Sequence, residues 1–332
     1  MAGAGSKAAA TDPQRSGSRA AGEYPPVPEP LPHPIVDTHT HLDICAGARG
    51  PLRSGEPKPQ REPGEEEAFP PVSFFHETAL AAGVTRIVQI GCEMGSARWT
   101  ADLVATEAAA GRDWMLGGAA IHPNEAPRLG AAGVLDESLT EIEELCRRDR
   151  MRVVGETGLD WFRIEQAEVN GVPVPEENAR RFQEESFRAH IEIAKRLDLA
   201  LEIHDREAHD DVLRVLREVG APERTVFHCF SGDAAMAEIC ASRGYFMSFA
   251  GNVTFKNATG LREAAQRVPR ELLLTETDAP FLTPHPHRGR PGGPYLTAVT
   301  ARLLAEVRGE DLAQLCETVV ANAENVFGRW EL

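Results

Sequence analysis

No two cysteines in this 332-residue chain are spaced as a CxxC pair. The six present, Cys45, Cys92, Cys146, Cys229, Cys240 and Cys316, are scattered along it. That excludes a small disulfide scaffold and a zinc knuckle, and leaves reduced, mostly buried thiols of a cytoplasmic protein as the expectation. No apolar run reaches the roughly 18 residues of a membrane span, so no membrane is expected as partner. The N-terminal stretch lacks the apolar region of a secretory signal. No GxGxxG follows the first apolar run, and Walker, GxSxG and HExxH patterns are missing too, which removes the usual marks of several cofactor and hydrolase classes. Positive charge is also short. Thirty-five Lys and Arg face 51 Asp and Glu, for a net charge of −16. This argues against tight, sequence-independent nucleic-acid binding through a basic face. A phosphate-bearing substrate would have to be held locally, by metal ions or a few placed cations.

What the chain does have is apolar content, 42% of its residues, and enough length for one barrel of about 250 residues plus extra segments. Residues 1–33 are rich in Ala, Gly, Ser and Pro and read as a disordered tail, because they bury too little to offset ordering. Residues 34–332 are expected to form a single domain, with 46–71 as a long surface loop. Within that domain, β-branched apolar runs alternate with helical periodicity. The runs are IVDTHTHL (35–42), RIVQIG (86–91), WMLGGAAI (114–121), RVVGET (152–157), ALEIHD (200–205), TVFHCF (225–230), YFMSFA (245–250) and ELLLTETD (271–278). Eight strand–helix repeats predict a (β/α)8 TIM barrel with a parallel sheet.

The polar residues of these runs gather at their ends. In IVDTHTHLD, Asp37, His39 and His41 stand at alternate positions, and alternation along a strand predicts one shared face. Burying three such groups without a partner is expensive, and a metal ion is an economical partner for neutral imidazoles. Glu156, with Asp160 just beyond, ends the fourth run; His204 ends the fifth, His228 the sixth, and Glu276 with Asp278 the eighth. Each alone is weak, since His204 could cap a helix and His228 could sit in the core. Together they end five of eight parallel strands, and those ends open on one face of a barrel, where active sites lie. His39, His41, Glu156, His204, His228 and Asp278 are too many ligands for one tetrahedral zinc. They suit two divalent cations with a bridging ligand, and the mixed nitrogen and oxygen donors suit Zn, Mn or Ni, with Mg or Co possible under assay conditions. Such a pair implies hydrolysis.

The constellation resembles the TatD family of metal-dependent nucleases, among the amidohydrolase-like barrels. The resemblance runs from about residue 34 to the C-terminus. It rests on DTHTHLD, IHPNEA, GETGLDWF, EIHDREAHDD, FHCFSG and TETDAPFLTPHPHRGRPGGP. It implies that His39 and His41 hold one metal with Glu156 and Asp278, that Glu156 bridges to a second metal held by His204 and His228, and that Asp278 takes a proton from the attacking water. It also implies that His122 contacts a phosphate or base, that Arg206 pairs with an anionic group, and that the activity is 3′-to-5′ hydrolysis of DNA. The tail, the 46–71 loop and an enlarged 163–177 segment depart from the family pattern and bear on substrate preference. Hydrolysis of a small phosphoester, ester or amide by the same barrel is the alternative. No obligate protein partner is indicated.

Two further features are ambiguous by residue type. Ser231, in FSGDAAMAE, is a candidate helix N-cap whose free N–H groups would face an anion, or an ordinary cap. The loop HPHRGRPGG (285–293) either contacts phosphates or is simply solvated, and Trp161 either stacks on a base or packs against the barrel. His33, His76, His190 and His209 lack strand-end context and carry no assigned role.

Overall fold

A computed structural model describes residues 23–48, 69–162 and 164–331. Eight parallel strands form one sheet: β1 (Ile35–Thr40), β2 (Val84–Gly91), β3 (Met115–Ala119), β4 (Met151–Asp160), β7 (Ala200–Arg206), β8 (Thr225–Phe227), β9 (Phe246–Phe249) and β10 (Leu273–Thr275). The strands are hydrogen-bonded in chain order. His41 N–H donates to Ala279 O at 2.8 Å and Asp278 N–H to His39 O at 3.0 Å, which draws the last strand round to the first. The expected TIM barrel is therefore present. Between β4 and β7 the enlarged segment folds into a small antiparallel hairpin, β5 (Glu168–Val169) and β6 (Val172–Pro173).

The interior of the barrel is filled by alternate residues of successive strands, among them Val36, Val88, Ile90, Leu116, Val153, Val226, Phe246 and Leu274. Phe327 and Trp330 close its lower end, with Trp330 Nε1–H donating to Ile87 O. Outside, the amphipathic helices pack their apolar stripes on the sheet. The longest, Glu176–Leu197, starts with Glu176 and Glu177 and ends with Lys195 and Arg196, charges that complement its dipole. It buries Phe187, Ile191 and Ala194, and it ends where Asp198 turns left-handed at φ 51°.

The tail expected for residues 1–33 is a different matter from Glu23 onward; residues 1–22 lie outside the described residues. Glu23 to Leu31 form a strap tied to the barrel. Arg290 donates to Glu23 O and Tyr24 O, Tyr295 Oη–H to Pro25 O, and Arg302 to Glu29 O and Pro30 O. Composition missed this because the strap is held by main-chain carbonyls, which any residue offers. Within the 285–293 loop, Arg290 serves the strap and Arg288 lies over the Phe255 ring at 4.4 Å. Of the 46–71 loop, residues 49–68 lie outside the described residues. Its two ends meet where Gly47, at φ 59°, leaves room for the Phe69 ring that a Cβ would strike at 2.6 Å.

Candidate metal centre

At the C-terminal mouth of the barrel, two strands break their alternation to deliver ligands. Val36 faces the barrel interior, and Thr38 points the same way, its Oγ1 3.0 Å from Ser248 Oγ. The register then slips between Asp37 and Thr40, and His39 and His41 turn to the mouth. Asp37 therefore does not share their face, as simple alternation predicted. Its carboxylate instead accepts Thr277 N–H at 2.8 Å and Thr277 Oγ1–H at 2.6 Å, locking β1 to the segment that carries Asp278. β4 slips in the same way between Val154 and Thr157, and this aims Glu156 inward. Such irregularities re-aim side chains beside functional sites. Asp278 itself sits at φ 53°, an uncommon conformation for a non-glycine residue and one that recurs at functional sites.

The six expected ligands converge. His39 Nε2 and His41 Nε2 lie 3.1 Å apart. Glu156 Oε2 is 3.9 and 3.7 Å from them, and Asp278 Oδ1 is 3.8 and 3.3 Å from them. The other oxygen of Glu156, Oε1, faces a second set: it is 2.7 Å from His204 Nδ1 and 3.0 Å from His228 Nε2, which are themselves 3.5 Å apart. Donors held about 2.1 Å from a tetrahedral metal lie about 3.4 Å from one another, so both sets fit a divalent cation, with Glu156 between them.

The outer ring nitrogens support that reading. His41 Nδ1–H points at Ile90 O at 3.0 Å, His228 Nδ1–H at Glu276 Oε1 at 3.2 Å, and His204 Nε2–H at Asp160 Oδ2 at 3.1 Å. Each bond leaves the inner nitrogen as a lone pair, which is what a metal takes. His122 is different. Its Nε2 is 3.3 Å from Glu156 Oε1 and belongs to the same cluster. But its Nδ1 accepts Asn124 N–H at 3.0 Å, so the neutral ring carries its proton on Nε2 and is a donor rather than a ligand.

Charge within the cluster of side chains is mutually balanced. Burial opposes ionisation of Glu156, yet the charges of His122 and His228 hold its carboxyl well below the usual range. Burial pushes His228 down, but Glu156 and Glu276 raise it well above the ordinary imidazole value. His204 rises to about 9 in the same way, against burial, through Asp160 and Glu156. Cations bound there would take over the positive charge that these shifts call for, and their binding would be coupled to proton release. Among the described residues, Glu276 Oε2 and both oxygens of Glu202 are buried without a hydrogen bond, and burial pushes the Glu202 carboxyl well above its usual range.

The other candidates divide. Arg206 is half-buried on the rim, its guanidinium 3.8 Å over the Phe162 ring. Ser231 does not cap the following helix. Asp233 does, accepting Met236 N–H at 2.9 Å, because it is one residue before the first helical turn. Ser231 Oγ–H donates to Asp205 O instead. Trp161 is sandwiched by packing, with Arg180 over its ring at 4.4 Å and Nε1–H on Asp211.

Several residues to which the sequence reading gave no role support the site. Asp160 orients His204, and it accepts Asn124 Nδ2–H at 3.1 Å and Phe162 N–H at 2.9 Å. Glu202 lies under His39. His190, fully buried, accepts Ile121 N–H on Nε2 at 3.1 Å and so fixes the main chain beside His122. Asp160 was visible at the end of GETGLD, and Glu202 had a readable signal in the Glu-x-His alternation of ALEIHD.

Comparison with known proteins places this geometry in a family. The model described as TatD related DNase matches residues 36–328. The uncharacterized metal-dependent hydrolase TatD of Mycobacterium tuberculosis is 39% identical over 294 residues, covering 89% of this chain and 98% of that protein. The uncharacterized metal-dependent hydrolase YabD of Bacillus subtilis is 31% identical over 294 residues, covering 88% and 98%. Among solved structures, the TatD homolog YjjV of Escherichia coli superposes with a TM-score of 0.69 at 24% identity, covering 89% of this chain and 98% of that one, a likeness of fold.

Proposed function

The chain belongs to the TatD related DNase family of metal-dependent hydrolases, and from that premise we propose that it hydrolyses phosphodiester bonds of DNA, working inward from a 3′ end. The observation that carries the reading is the placement of Glu156, whose two oxygens face two separate sets of inward nitrogen donors. Two divalent cations (Zn, Mn, Mg or Ni) held there would supply Lewis acidity toward a phosphoryl oxygen and make water acidic enough to attack at neutral pH.

The side chains then have distinct tasks. His39, His41 and Asp278 hold the first position, His204 and His228 the second, and Glu156 both. Asp278, 15% exposed at the mouth, is open enough to take the proton of the attacking water. His122 presents Nε2–H toward the site and can donate to a non-bridging phosphate oxygen. Arg206, on the rim, supplies a fixed positive charge for the next phosphate. Thr277 and Asp37 brace Asp278 from behind. A cytoplasmic setting fits the six free cysteines; among the described residues no helix is long and apolar enough to cross a membrane.

The test is a panel of single-stranded DNA, duplex DNA, RNA and simple phosphodiesters, phosphomonoesters, esters and amides, with Mg2+ or Mn2+, with and without EDTA. Release of mononucleotides from single-stranded DNA is expected, abolished by EDTA. It should be lowered about 10²-fold or more in Asp278→Asn, the scale of losing a general base. Turnover of a small phosphoester, ester or amide with DNA left intact would replace the nuclease assignment.

A further inference from the structure

β7 carries Glu202 two residues before His204, so both side chains face the barrel interior. Glu202 is fully buried. Its Oε2 reaches across the barrel to within 3.1 Å of His39 Nδ1 on β1, off the line of an ideal hydrogen bond, and among the described residues neither carboxylate oxygen accepts one elsewhere. Room for the side chain comes from β4, where a Cβ on Gly155 would fall 2.6 Å from Glu202 Cβ. A carboxylate sealed in a barrel without donors is costly unless positive charge stands close by. Here the charge would arrive through His39.

We propose that Glu202 is a positioning residue of the metal centre: it takes the Nδ1–H of His39 and so keeps Nε2 turned, as a lone pair, toward the first cation position. The assignment rests on the two-metal reading of the site. It completes a pattern in which three of the four ligand imidazoles lean on a carboxylate, His39 on Glu202, His204 on Asp160 and His228 on Glu276, while His41 leans on the Ile90 carbonyl. The His39 ring also stacks on His228 with centroids 4.1 Å apart. A His39 ring free to rotate would therefore disturb both cation positions. Two divalent cations bring four positive charges, of which Glu156 and Asp278 offset two; Glu202 offsets part of the rest from beneath.

The test compares the parent, Glu202→Leu and Glu202→Gln, each stripped of metal and titrated with Mn2+ by calorimetry. Glu202→Leu should bind Mn2+ about 10- to 100-fold more weakly, the range seen when such an outer partner of a metal-binding histidine is lost. Glu202→Gln, whose amide oxygen can still accept from Nδ1–H but brings no charge to the cations, should lose less than the leucine variant but still bind measurably more weakly than the parent. Melting temperatures give a second readout. Metal-free Glu202→Leu should melt above metal-free parent, since a buried polar group with no hydrogen bond is gone, yet gain less on adding Mn2+. A merely structural role would lower both melting points and leave the gain unchanged. Parent-like affinity and gain in Glu202→Leu would overturn the assignment, as would equal losses in the two variants. If the leucine variant does not fold, an unaltered affinity in Glu202→Gln overturns it. A parent that binds no Mn2+ would instead remove the two-metal reading, and this inference with it.

Discussion

Acid should loosen this protein through one buried histidine that binds no metal. His190 is fully buried on the helix Glu176–Leu197, donating from Nδ1 to Ser186 O at 2.7 Å and accepting Ile121 N–H on Nε2. Burial lowers its pKa to about 4. In the unfolded chain it should titrate near 6.5. Above pH 6.5 both states hold it neutral and it makes no pH-dependent contribution. Between 6.5 and 4 the unfolded chain takes up a proton that the folded chain refuses, so stability falls as pH falls. Linkage puts the loss at about 2 kcal/mol at pH 5 and about 3 kcal/mol at pH 4. Urea denaturation at pH 7.5 and 5.0, run beside His190→Gln, isolates this group from the metal-site histidines, which are common to both proteins. The glutamine variant should be less stable at pH 7.5, and its deficit should shrink by about 2 kcal/mol at pH 5. A deficit independent of pH would show that His190 is not held neutral, and would refute the reasoning.

Three further outcomes follow from the site. Glu156→Gln removes the anion shared by both donor sets, so elemental analysis should find metal lost from both positions; two full equivalents would refute the bridging role. Gly158→Ala should melt lower and bind less metal at the His204 position, because at φ 142° an added Cβ lies 2.0 Å from the His204 carbonyl oxygen, a strain of about 1–3 kcal/mol or more. Unchanged melting and metal content would contradict that geometry. Binding of single-stranded DNA should depend weakly on salt, with a log–log slope below about 2 in magnitude, since the −16 charge leaves few cations to replace counterions; a steep slope would reveal a basic groove.

The candidate ligand set was legible because metal chemistry restricts residue type: His, Asp, Glu and Cys are the usual side chains around a borderline cation. Parallel pairing then sends every strand end to one mouth. The reasoning from alternation, however, was only partly right. It grouped Asp37 with His39 and His41, whereas the register slip in β1 separates them and gives Asp37 to Thr277. Slips of that kind depend on how neighbouring strands meet and leave no mark in a single strand's pattern. The strap from Glu23 to Leu31 escaped for a related reason, because its partners are Arg290, Tyr295 and Arg302, more than 260 residues away.

The order of residues alone determined the kind of chemistry at the barrel mouth and the eight-fold repeat that builds it, since both follow from side-chain type and local periodicity. Only the tertiary structure decided which atom of each residue does what. Glu156 presents one oxygen to each donor set, His122 keeps its proton on Nε2, and Glu202 stands behind His39 from the far side of the barrel. These roles depend on ångström-scale separations between strands distant in the chain, and no local pattern encodes them.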